Sequence, residues 1–507
     1  MRLPLISSRP ADDNLRALGA WLHYCLLVAI VAVGGYLRLT LLNQQSLWFD
    51  EADIVVRAQR SWSEILSTFT VQGENGPLYN VMLAVWIRVA GISETAVRFP
   101  SAVAGVLALP AIYLLGRRLA GPQAGLISAG LLAFSPYHIW YSQEAKMYSI
   151  IALLAILSTL LLVEAISSGN RRLWIAYVAV TTIMFYTHVA SVLMFGAQAV
   201  FVLAIYRRWK WQARAVVIAG AALTVPYLPI ALWAARVVGG DVPTWHGNIS
   251  MIDAMRTLGV RFATFRSDPE IEFRAGWLYF LTAVGTALWL LASRRRREVG
   301  ILLVSLAVLP VIGLWFVSLR NSVFSDRYII GALPAYLILI SIGLAYLARN
   351  RAGILPAGLL AAGLLAHTWV PVVDVNRSEI AEKEDWRSAY ARVAEQAEPN
   401  DVFLMHPGYI VSTLAYYGQR DERLGGHPVG TIPSFAPDWM TRAVMIEMLW
   451  DEFGQFNRFW LIESPDRVPL EDPNDELESW LSSTGVILYQ EQVSGVRITL
   501  YELPADW

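Results

Sequence analysis

Two adjacent carboxylates, Asp50 and Glu51, lie in the stretch SLWFDEADIV and follow an apolar run that is long enough to span a membrane. Because a carboxylate is costly in hydrocarbon, one at the end of a span is expected in a protein cleft at the membrane rim. A carboxylate that is partly buried and braced by a neighbour can accept the proton of a hydroxyl or an amine. The pair therefore predicts a general base that activates an acceptor, unless both residues are solvated or paired with Arg57.

Two cationic residues are candidates for binding a leaving phosphate, which requires fixed positive charge. Arg327 precedes Tyr328 at the start of an apolar segment and offers a guanidinium fork beside a phenol. Lys146, one of only three lysines in the chain, follows Glu144 at another membrane boundary. The alternative is that Arg327 and Lys146 are interfacial residues whose long side chains extend to the membrane surface.

The composition indicates which elements must position these residues. The chain has 507 residues, of which 56% are hydrophobic and 16% are charged, a far more apolar mixture than that of a soluble domain. A polytopic membrane protein is predicted. The single cysteine, Cys25, lies inside the first apolar run, which excludes a disulfide framework and a cysteine-based metal cluster.

Windows of spanning length predict about eleven transmembrane helices. The apolar segments lie near residues 18–42, 99–119, 123–142, 146–167, 173–188, 189–206, 214–236, 275–293, 299–319, 328–348 and 352–372. One further segment, Pro77–Gly91, is short for a span and is predicted as a juxtamembrane helix in the first outer loop. With a cytoplasmic N-terminus, this topology gives the arginine clusters cytoplasmic positions, as the positive-inside rule requires. The clusters lie at residues 117–118, 171–172, 207–214, 294–297 and 349–351.

The same topology puts the polar candidates and everything after about Val373 on the non-cytoplasmic side. This last region carries 24 acidic and 10 basic side chains. Asp401–Gly418 has the pattern of a strand followed by a helix, and strand composition recurs at 458–463, 485–492 and 496–503. We therefore predict a transmembrane domain over 1–372 and a small extracytoplasmic α/β domain over 373–507. The second domain shows no phosphate fingerprint, catalytic triad or metal spacing, which favours substrate docking or a lid.

A series of motifs in the transmembrane part resembles one family of membrane enzymes. The motifs are WFDEADIV, GPLYNVMLAVW, RFPSAVAGVLALPAIYLLGRRL, SPYHIWYSQEAKMYS, FYTH and DRYIIGALPAY. Their order resembles the polyprenyl-phosphate-sugar-dependent glycosyltransferases of the GT-C fold, family 39, whose members include protein mannosyltransferases and bacterial lipid A aminoarabinose transferases. The resemblance covers roughly residues 40–335 and is most specific at Asp50-Glu51 and SQEAKMY. It implies an all-α, polytopic GT-C-like bundle that transfers a sugar.

The resemblance also implies roles for the acidic residues. Asp50 matches the catalytic base or acceptor-orienting group of the family, and Glu51 matches its partner. Glu144 and Lys146 match a second polar cluster near the lipid phosphate. Many relatives have an aspartate where this chain has Tyr148, so either Glu144 or Tyr148 takes the second polar role.

The donor phosphate is assigned by resemblance to Arg327 and Tyr328, and His188 matches a rim histidine that is as often structural. Tyr79 belongs to the Pro-Leu-Tyr segment, which in relatives usually begins with a histidine or a second proline and here follows Glu74-Asn75-Gly76. Glu74 could contact the acceptor or bind a metal. No cofactor is required on this interpretation and no ligand spacing demands a metal, but a divalent ion stays open as an alternative.

The resemblance, together with these residues, implies an inverting, integral-membrane glycosyltransferase. It would move a monosaccharide from a polyprenyl phosphate to a lipid, glycan or protein acceptor on the outer face of the membrane. The arginine-rich, lysine-poor composition favours a bacterial inner membrane with a periplasmic active face, and nothing points to nucleic acid. The alternative is a transporter or flippase of a lipid-linked sugar, which predicts internal repeats and broken helices. No repeat is evident, and Pro226 and Pro229 are the only sequence signal of a broken span.

Overall fold

The computed structural model describes residues 13–69, 76–239, 249–265, 269–320, 322–377, 383–432 and 440–507, and Glu74 lies outside these ranges. Each of the eleven predicted apolar segments is helical over most of its length. Within the described residues the helices are α1 (Asp13–Leu39), α2 (Phe49–Ala58), α3 (Trp62–Ser67), α4 (Pro77–Ala90), α5 (Glu94–Ala120), α6 (Pro122–Ala133), α7 (Pro136–Ser142), α8 (Tyr148–Ser168), α9 (Arg171–Thr187), α10 (Val192–Ala204), α11 (Tyr206–Trp209), α12 (Ala213–Gly239), α13 (Met251–Arg256), α14 (Phe262–Thr264), α15 (Pro269–Ala292), α16 (Arg297–Ser318), α17 (Leu333–Leu347), α18 (Arg351–Arg377), α19 (Trp386–Gln396), α20 (Val411–Tyr417), α21 (Arg442–Phe453), α22 (Val468–Glu471) and α23 (Glu476–Thr484).

The chain is a multi-pass membrane protein, because several of these helices have the length and apolarity of a span. In the part of the chain that the structure describes, five helical stretches meet both criteria, namely Trp21–Leu39, Glu94–Ala120, Tyr148–Ser168, Arg297–Ser318 and Asp326–Leu347. A sixth span results if Val189–Ala204 and Tyr206–Pro229, which meet at 78°, cross as one broken helix. Several other apolar helices, such as the 14-residue α4, are shorter than a span. The total of about eleven crossings stays a prediction.

Local signals explain where several helices begin and end. Ser61 and Glu64 form a capping box at the start of α3, in which each side chain accepts from the other's backbone. Gly76, at a φ of 98°, lets the chain turn sharply into α4, which begins with Pro77 at a position where a missing N–H costs nothing. Gly169, at a φ of 70°, ends α8 in the left-handed conformation.

The chain divides into two compact units. Unit 1 takes in the chain up to Thr40, Ser101–Gln143 and Met147–Asn376. Unit 2 takes in Leu41–Pro100, Glu144–Lys146 and Arg377–Trp507. The predicted α/β region after residue 373 therefore belongs to a unit that also contains the predicted first outer loop.

Unit 1 is a helical bundle. Helix α8 packs against α9, α10 packs against α16, and α17 packs against α6 and α15. Helix α17 is apolar on all sides and is buried along most of its length, as expected for the centre of a bundle.

Unit 2 is built on a five-stranded sheet that confirms the predicted α/β region. Its strands are β1 (Val402–His406), β2 (Val429–Thr431), β3 (Arg458–Glu463), β4 (Val486–Val493) and β5 (Val496–Glu502). They lie in the order β2-β1-β3-β5-β4, with β1 parallel to both β2 and β3 and with β5 antiparallel to its neighbours. The predicted strand and helix at 401–418 are β1 and α20.

The sheet positions its neighbours through a compact apolar core. Leu404 of β1, Leu461 of β3 and Tyr501 of β5 pack with Phe453 of α21 and Trp480 of α23. In the same unit, α2 packs against α20 and α4. The helix that carries Asp50 and Glu51 therefore rests on helices from two distant parts of the chain.

Candidate active site

The candidate carboxylates Asp50 and Glu51 lie in the first turn of α2. Trp48 precedes this turn and provides no side-chain cap, so the negative charges themselves complement the positive end of the helix dipole. Asp50 is partly exposed, whereas the Glu51 side chain is completely buried. The two neighbours therefore have different environments.

Arg98 holds Glu51 through a bidentate ion pair. Its Nε and Nη2 atoms donate to the two carboxylate oxygens at 2.8 and 2.6 Å. The remaining donors bind the backbone carbonyls of Leu42, Gln45 and Ser46 at 2.7–2.9 Å. A guanidinium is suited to this task because its donors have a rigid, planar arrangement. Arg98 therefore fixes both Glu51 and the loop that leads into α2.

Lys383 joins Glu51 to a second buried carboxylate, that of Glu144. The Lys383 ammonium lies 3.3 Å from Glu51 Oε2 and 3.4 Å from Glu144 Oε1, and only 8% of its side chain is exposed. The backbone N–H of Ala145 donates to Glu51 Oε1 at 2.7 Å. Lys383, which was not predicted from the sequence, thus brings together the two predicted site residues Glu51 and Glu144.

The positive charges of this cluster keep the Glu51 side chain ionised. Burial by itself would raise the pKa of the Glu51 carboxyl, but the positive charges of Arg98 and Lys383 outweigh it and lower the pKa to about 2. A carboxylate with this pKa is a poor proton acceptor at neutral pH. Asp50, on the same turn and partly exposed, is the better candidate for a base.

The residue after Lys383 anchors the same segment to the sheet. The Glu384 carboxylate accepts hydrogen bonds from Ser464 Oγ at 2.7 Å, Arg467 Nε at 2.7 Å and Trp386 Nε1 at 2.9 Å. Its backbone carbonyl accepts from Ser46 Oγ at 2.8 Å. The segment that supplies Lys383 is therefore tied both to the end of β3 and to the loop before α2.

A second ion pair braces the start of α5. Arg387 donates to both carboxylate oxygens of Glu94, at 3.2 and 2.6 Å, and Tyr417 OH donates to one of them at 2.8 Å. The Tyr417 hydroxyl also accepts from the backbone N–H of Leu47 at 2.8 Å. This contact again fixes the loop before α2 from the C-terminal region.

Four other candidates form a cluster in unit 1. The rings of His188 and Tyr328 lie 5.0 Å apart, and those of His188 and Tyr148 lie 6.0 Å apart. The Arg327 guanidinium lies 5.7 Å from the Tyr148 ring and 5.6 Å from the Tyr328 ring. Cation–π contacts of this kind hold a guanidinium in place. The structure therefore groups Arg327 and Tyr328, which the resemblance assigns to the donor phosphate, with His188 and Tyr148.

The turn that carries Arg327 and Tyr328 is a 3₁₀-helix, Asp326–Ala332, fixed on α7. Tyr137 OH donates to the Asp326 carbonyl at 2.8 Å. The Asp326 carboxylate accepts from the Arg327 backbone N–H at 2.8 Å and from Tyr141 OH at 3.5 Å. The predicted donor-binding pair is thus held by aromatic residues from the SPYHIWYS motif.

The two remaining candidates within the described residues are Lys146 and Tyr79. Lys146 is partly buried in the short stretch of unit 2 that contains Glu144. Tyr79 is buried on α4. The roles of both stay predictions, as does that of Glu74 outside the described residues.

Arg98 and Lys383 are the residues of the Glu51 cluster that were not predicted from the sequence. Arg98 had a signal, since a charged residue at the boundary of a predicted span requires a partner. Lys383 is one of three lysines in the chain, the same rarity that drew attention to Lys146.

Among the described residues, one group of carboxylates is close enough to share a metal ion. Glu463, Asp475 and Glu478 have oxygens within 4.8 Å of one another. Arg497 donates to Glu463 Oε2 at 2.9 Å and also to Glu478. A guanidinium therefore already supplies positive charge to this group.

Comparison with solved structures defines the fold as that of the GT-C glycosyltransferases. ArnT from Cupriavidus metallidurans in the apo state is 13% identical at a TM-score of 0.59, and the match covers 96% of this chain and 98% of that one. ArnT from the same organism bound to undecaprenyl phosphate is 14% identical at a TM-score of 0.53, with 95% and 98% covered. The archaeal oligosaccharyltransferase AglB from Archaeoglobus fulgidus, in complex with an inhibitory peptide and a dolichol-phosphate, is 11% identical at a TM-score of 0.57, with 96% and 74% covered.

Comparison with family models gives a narrower match. The model described as dolichyl-phosphate-mannose-protein mannosyltransferase matches residues 74–233. A search of the curated proteins gives no match. The predicted fold class, a GT-C-like helical membrane bundle with a small α/β part, is confirmed.

Proposed function

We propose that the protein is a glycosyltransferase that moves a monosaccharide from a polyprenyl phosphate to an acceptor. The observation that carries this proposal is the unequal pair on α2, in which Glu51 is buried and ion-paired with Arg98 and Lys383 while Asp50 is partly exposed. This difference suits a structural role for Glu51 and a reactive role for Asp50. The GT-C fold and the family-model match support the reaction class.

A lipid-phosphate donor is supported by what the similar structures contain. ArnT was solved with undecaprenyl phosphate, and AglB was solved with a dolichol-phosphate. The cluster of Arg327 and Tyr328 provides the positive charge and the hydroxyl donor that a phosphate requires. We assign the donor phosphate to this pair, with His188 and Tyr148 as supporting residues.

The proposed reaction is a single displacement at the anomeric carbon. Asp50 accepts the proton of the acceptor hydroxyl or amine while the acceptor atom bonds to that carbon. The bond from the anomeric carbon to the phosphate oxygen breaks, and its electron pair leaves with polyprenyl phosphate. Because the acceptor enters opposite the leaving group, the configuration inverts. Arg327 stabilises the negative charge that develops on the phosphate, so this mechanism requires no divalent ion.

An outer, periplasmic active face in a bacterial inner membrane is part of the proposal. The arginine clusters that flank the apolar segments support a cytoplasmic N-terminus and outer loops that carry the candidate residues. A lipid-linked donor suits this location, because nucleotide sugars are absent outside the cytoplasm. The acceptor would be a lipid, a glycan or a protein.

The test is transfer of radiolabelled sugar from a panel of polyprenyl-phosphate monosaccharides to membrane extracts by the purified protein. We expect one donor to be consumed, and Asp50→Asn to reduce the rate by roughly 100-fold or more, the usual contribution of a general base. Asp53→Asn is the matched control, since Asp53 lies on the same helix and pairs with Arg57 at 2.9 Å. Folding and amount are compared by size-exclusion profile and Tm.

Transfer by Asp50→Asn at the parent rate would overturn the assignment of the base. If the protein moves a lipid-linked sugar across the membrane of liposomes and transfers no sugar to an acceptor, the flippase alternative is favoured. A divalent-ion requirement is measured in the same assay by adding EDTA, and we expect the parent rate to persist.

A further inference from the structure

A polar cavity of about 390 Å³ lies in unit 1 and reaches the turn that carries Arg327. Ligand pockets usually measure roughly 300–1,000 Å³, so this cavity is large enough for one small molecule. Three apolar residues line part of it. The polar lining consists of Asp253, Arg256, Thr257, Arg261, Ser325 and Asp326.

A local departure from α-helical geometry brings the two arginines to the cavity. Residues Thr257–Arg261 form a π-helix between α13 and α14. Because a π-helix bonds each residue to the fifth residue along, Arg256 and Arg261 lie one turn apart. Segments of π-helix occur frequently at functional sites. At the start of α13, Ser250 Oγ donates to Asp253 Oδ2 at 2.6 Å and fixes that side chain.

Phe265, a residue with a strained backbone, fixes the C-terminal end of the segment that runs from α13 to α14. Phe265 has a φ of 60°, which is unusual for a bulky side chain. Its ring contacts those of Tyr137, Trp140 and Tyr141 on α7 at centroid distances of 5.6, 5.2 and 5.8 Å. Such strain persists only where the surroundings enforce it, and it is common at ligand sites. Helix α7 therefore anchors both the cavity segment and, through Tyr137, the turn at Asp326.

The charges of the cavity indicate the class of ligand. Two guanidinium groups and two carboxylates cancel formally, so an added phosphate would meet carboxylates and an added metal ion would meet guanidiniums. A sugar hydroxyl can donate to a carboxylate and accept from a guanidinium at the same time. A neutral molecule with several hydroxyl groups therefore satisfies this lining best.

We propose that this cavity binds the sugar of the donor, and that the sugar is an uncharged monosaccharide. The inference rests on the proposed function. Its geometric support is the adjacency of Asp326, which lines the cavity, to Arg327, whose backbone N–H donates to the Asp326 carboxylate at 2.8 Å. Neighbouring sites for a phosphate and for a neutral sugar match the two parts of a sugar phosphate.

The experiment compares binding of undecaprenyl phosphate with binding of undecaprenyl-phosphate hexoses and pentoses to the detergent-purified chain. We expect the parent to bind one glycosylated lipid at least about tenfold more tightly than the bare lipid phosphate. Arg256→Ala and Asp253→Asn should each reduce this preference by about tenfold, the effect of one lost hydrogen bond to a charged group, and leave affinity for the bare lipid phosphate unchanged. Ile252→Ala is the matched control, because Ile252 is 80% exposed on the same short helix and does not line the cavity.

Each other outcome overturns the inference in a distinguishable way. If both variants keep the parent preference while the parent consumes a donor, the cavity does not bind the sugar and the proposed function stands. If both variants weaken binding of bare and glycosylated lipid equally, the cavity acts on the phosphate. If the parent neither binds nor consumes any donor, the proposed function fails and this inference fails with it.

Discussion

Two buried glutamates in unit 2, Glu51 and Glu463, have the same side chain and the same complete burial but opposite electrostatics. Glu51 has Arg98 and Lys383 as counter-charges, and its pKa is lowered to about 2 despite the burial. Burial raises the pKa of Glu463 to about 7, because its counter-charge Arg497 only partly offsets it. Arg497 is also shared with Glu478. The number of counter-charges, and not burial alone, decides whether a buried carboxylate stays ionised.

This difference has a consequence for the candidate site. Glu51 keeps its charge throughout the physiological range, so the turn of α2 that carries Asp50 has a constant electrostatic environment. Glu463, at the end of β3 and opposite His406 in the sheet register, changes its charge near neutral pH. A constant charge suits Glu51, which positions the base Asp50. A change in the charge of Glu463 should make the stability of the sheet depend on pH.

The largest effect is expected when Glu51 loses its main counter-charge. Arg98→Ala should cost about 3–5 kcal/mol, because it leaves an ion buried without its partner and frees three loop carbonyls. Arg98→Lys should restore only part of this, since an ammonium cannot form the bidentate contact. Arg442→Ala, which removes a partly exposed pair with Glu476, is the control and should change little. Tm in detergent measures all three, and a parent-like Tm for Arg98→Ala would contradict the role of Arg98.

A smaller effect is expected from the second counter-charge. Lys383→Met should cost about 2–3 kcal/mol, since Arg98 still neutralises Glu51 while Glu144 loses the ammonium at 3.4 Å. Loss of this positive charge should also disfavour the ionised form of the neighbouring base Asp50, so the acidic limb of the pH–rate profile for donor consumption should move to higher pH. Lys383→Arg should return the limb towards its parent position. A Tm loss with an unchanged pH profile would reduce Lys383 to a structural role.

The two glutamates should also give opposite trends of stability with pH. Because the folded pKa of Glu463 is raised to about 7, its protonated form stabilises the fold fully below the unfolded value of 4.5, and this stability is lost as pH rises through 7. The loss between about pH 5.5 and 8 should be about 2 kcal/mol. Glu51 has a lowered pKa, so its contribution is present above 4.5 and is lost as pH falls towards 2.

The matched variant for this trend is Glu463→Gln, which is neutral at every pH. It should remove the decline of Tm between about pH 5.5 and 8 while leaving the acid-induced loss in place. The charged groups around Glu463 are Arg497 on β5, Glu478 on α23 and His406 on β1. An unchanged decline in Glu463→Gln would show that Glu463 is not the group that titrates in this range.

The fold was largely predictable because its signals are local. Apolar segments of spanning length are helical, and strand composition predicted β1, β3, β4 and β5. The three-residue β2 had no comparable signal, because its pairing with β1 depends on tertiary contacts. The number of membrane crossings is also not given by hydropathy alone, as the short α6 and the bent pair around Ile205 illustrate.

The candidate site was predictable to a smaller extent. Motif order selected Tyr148, His188, Arg327 and Tyr328, which do lie together. The rarity of lysine could have drawn attention to Lys383, but its contact with Glu51 spans 332 positions of sequence. No periodicity or spacing reports a contact at that separation.

The smallest expected effect concerns the hydrogen bond from Ser464 to Glu384, which lies between the two glutamate sites. Ser464 directly follows Glu463 and donates to Glu384, the residue after Lys383. Because Arg467 also donates to Glu384 at 2.7 Å, Ser464→Ala should cost only about 1 kcal/mol in stability. In a double-mutant cycle with Lys383→Met, an interaction energy below about 0.5 kcal/mol would show that the two glutamate sites are independent. A larger value would show that the two sites are coupled through Glu384, and the pH–rate profile of Glu463→Gln would then test whether the charge of Glu463 affects Asp50.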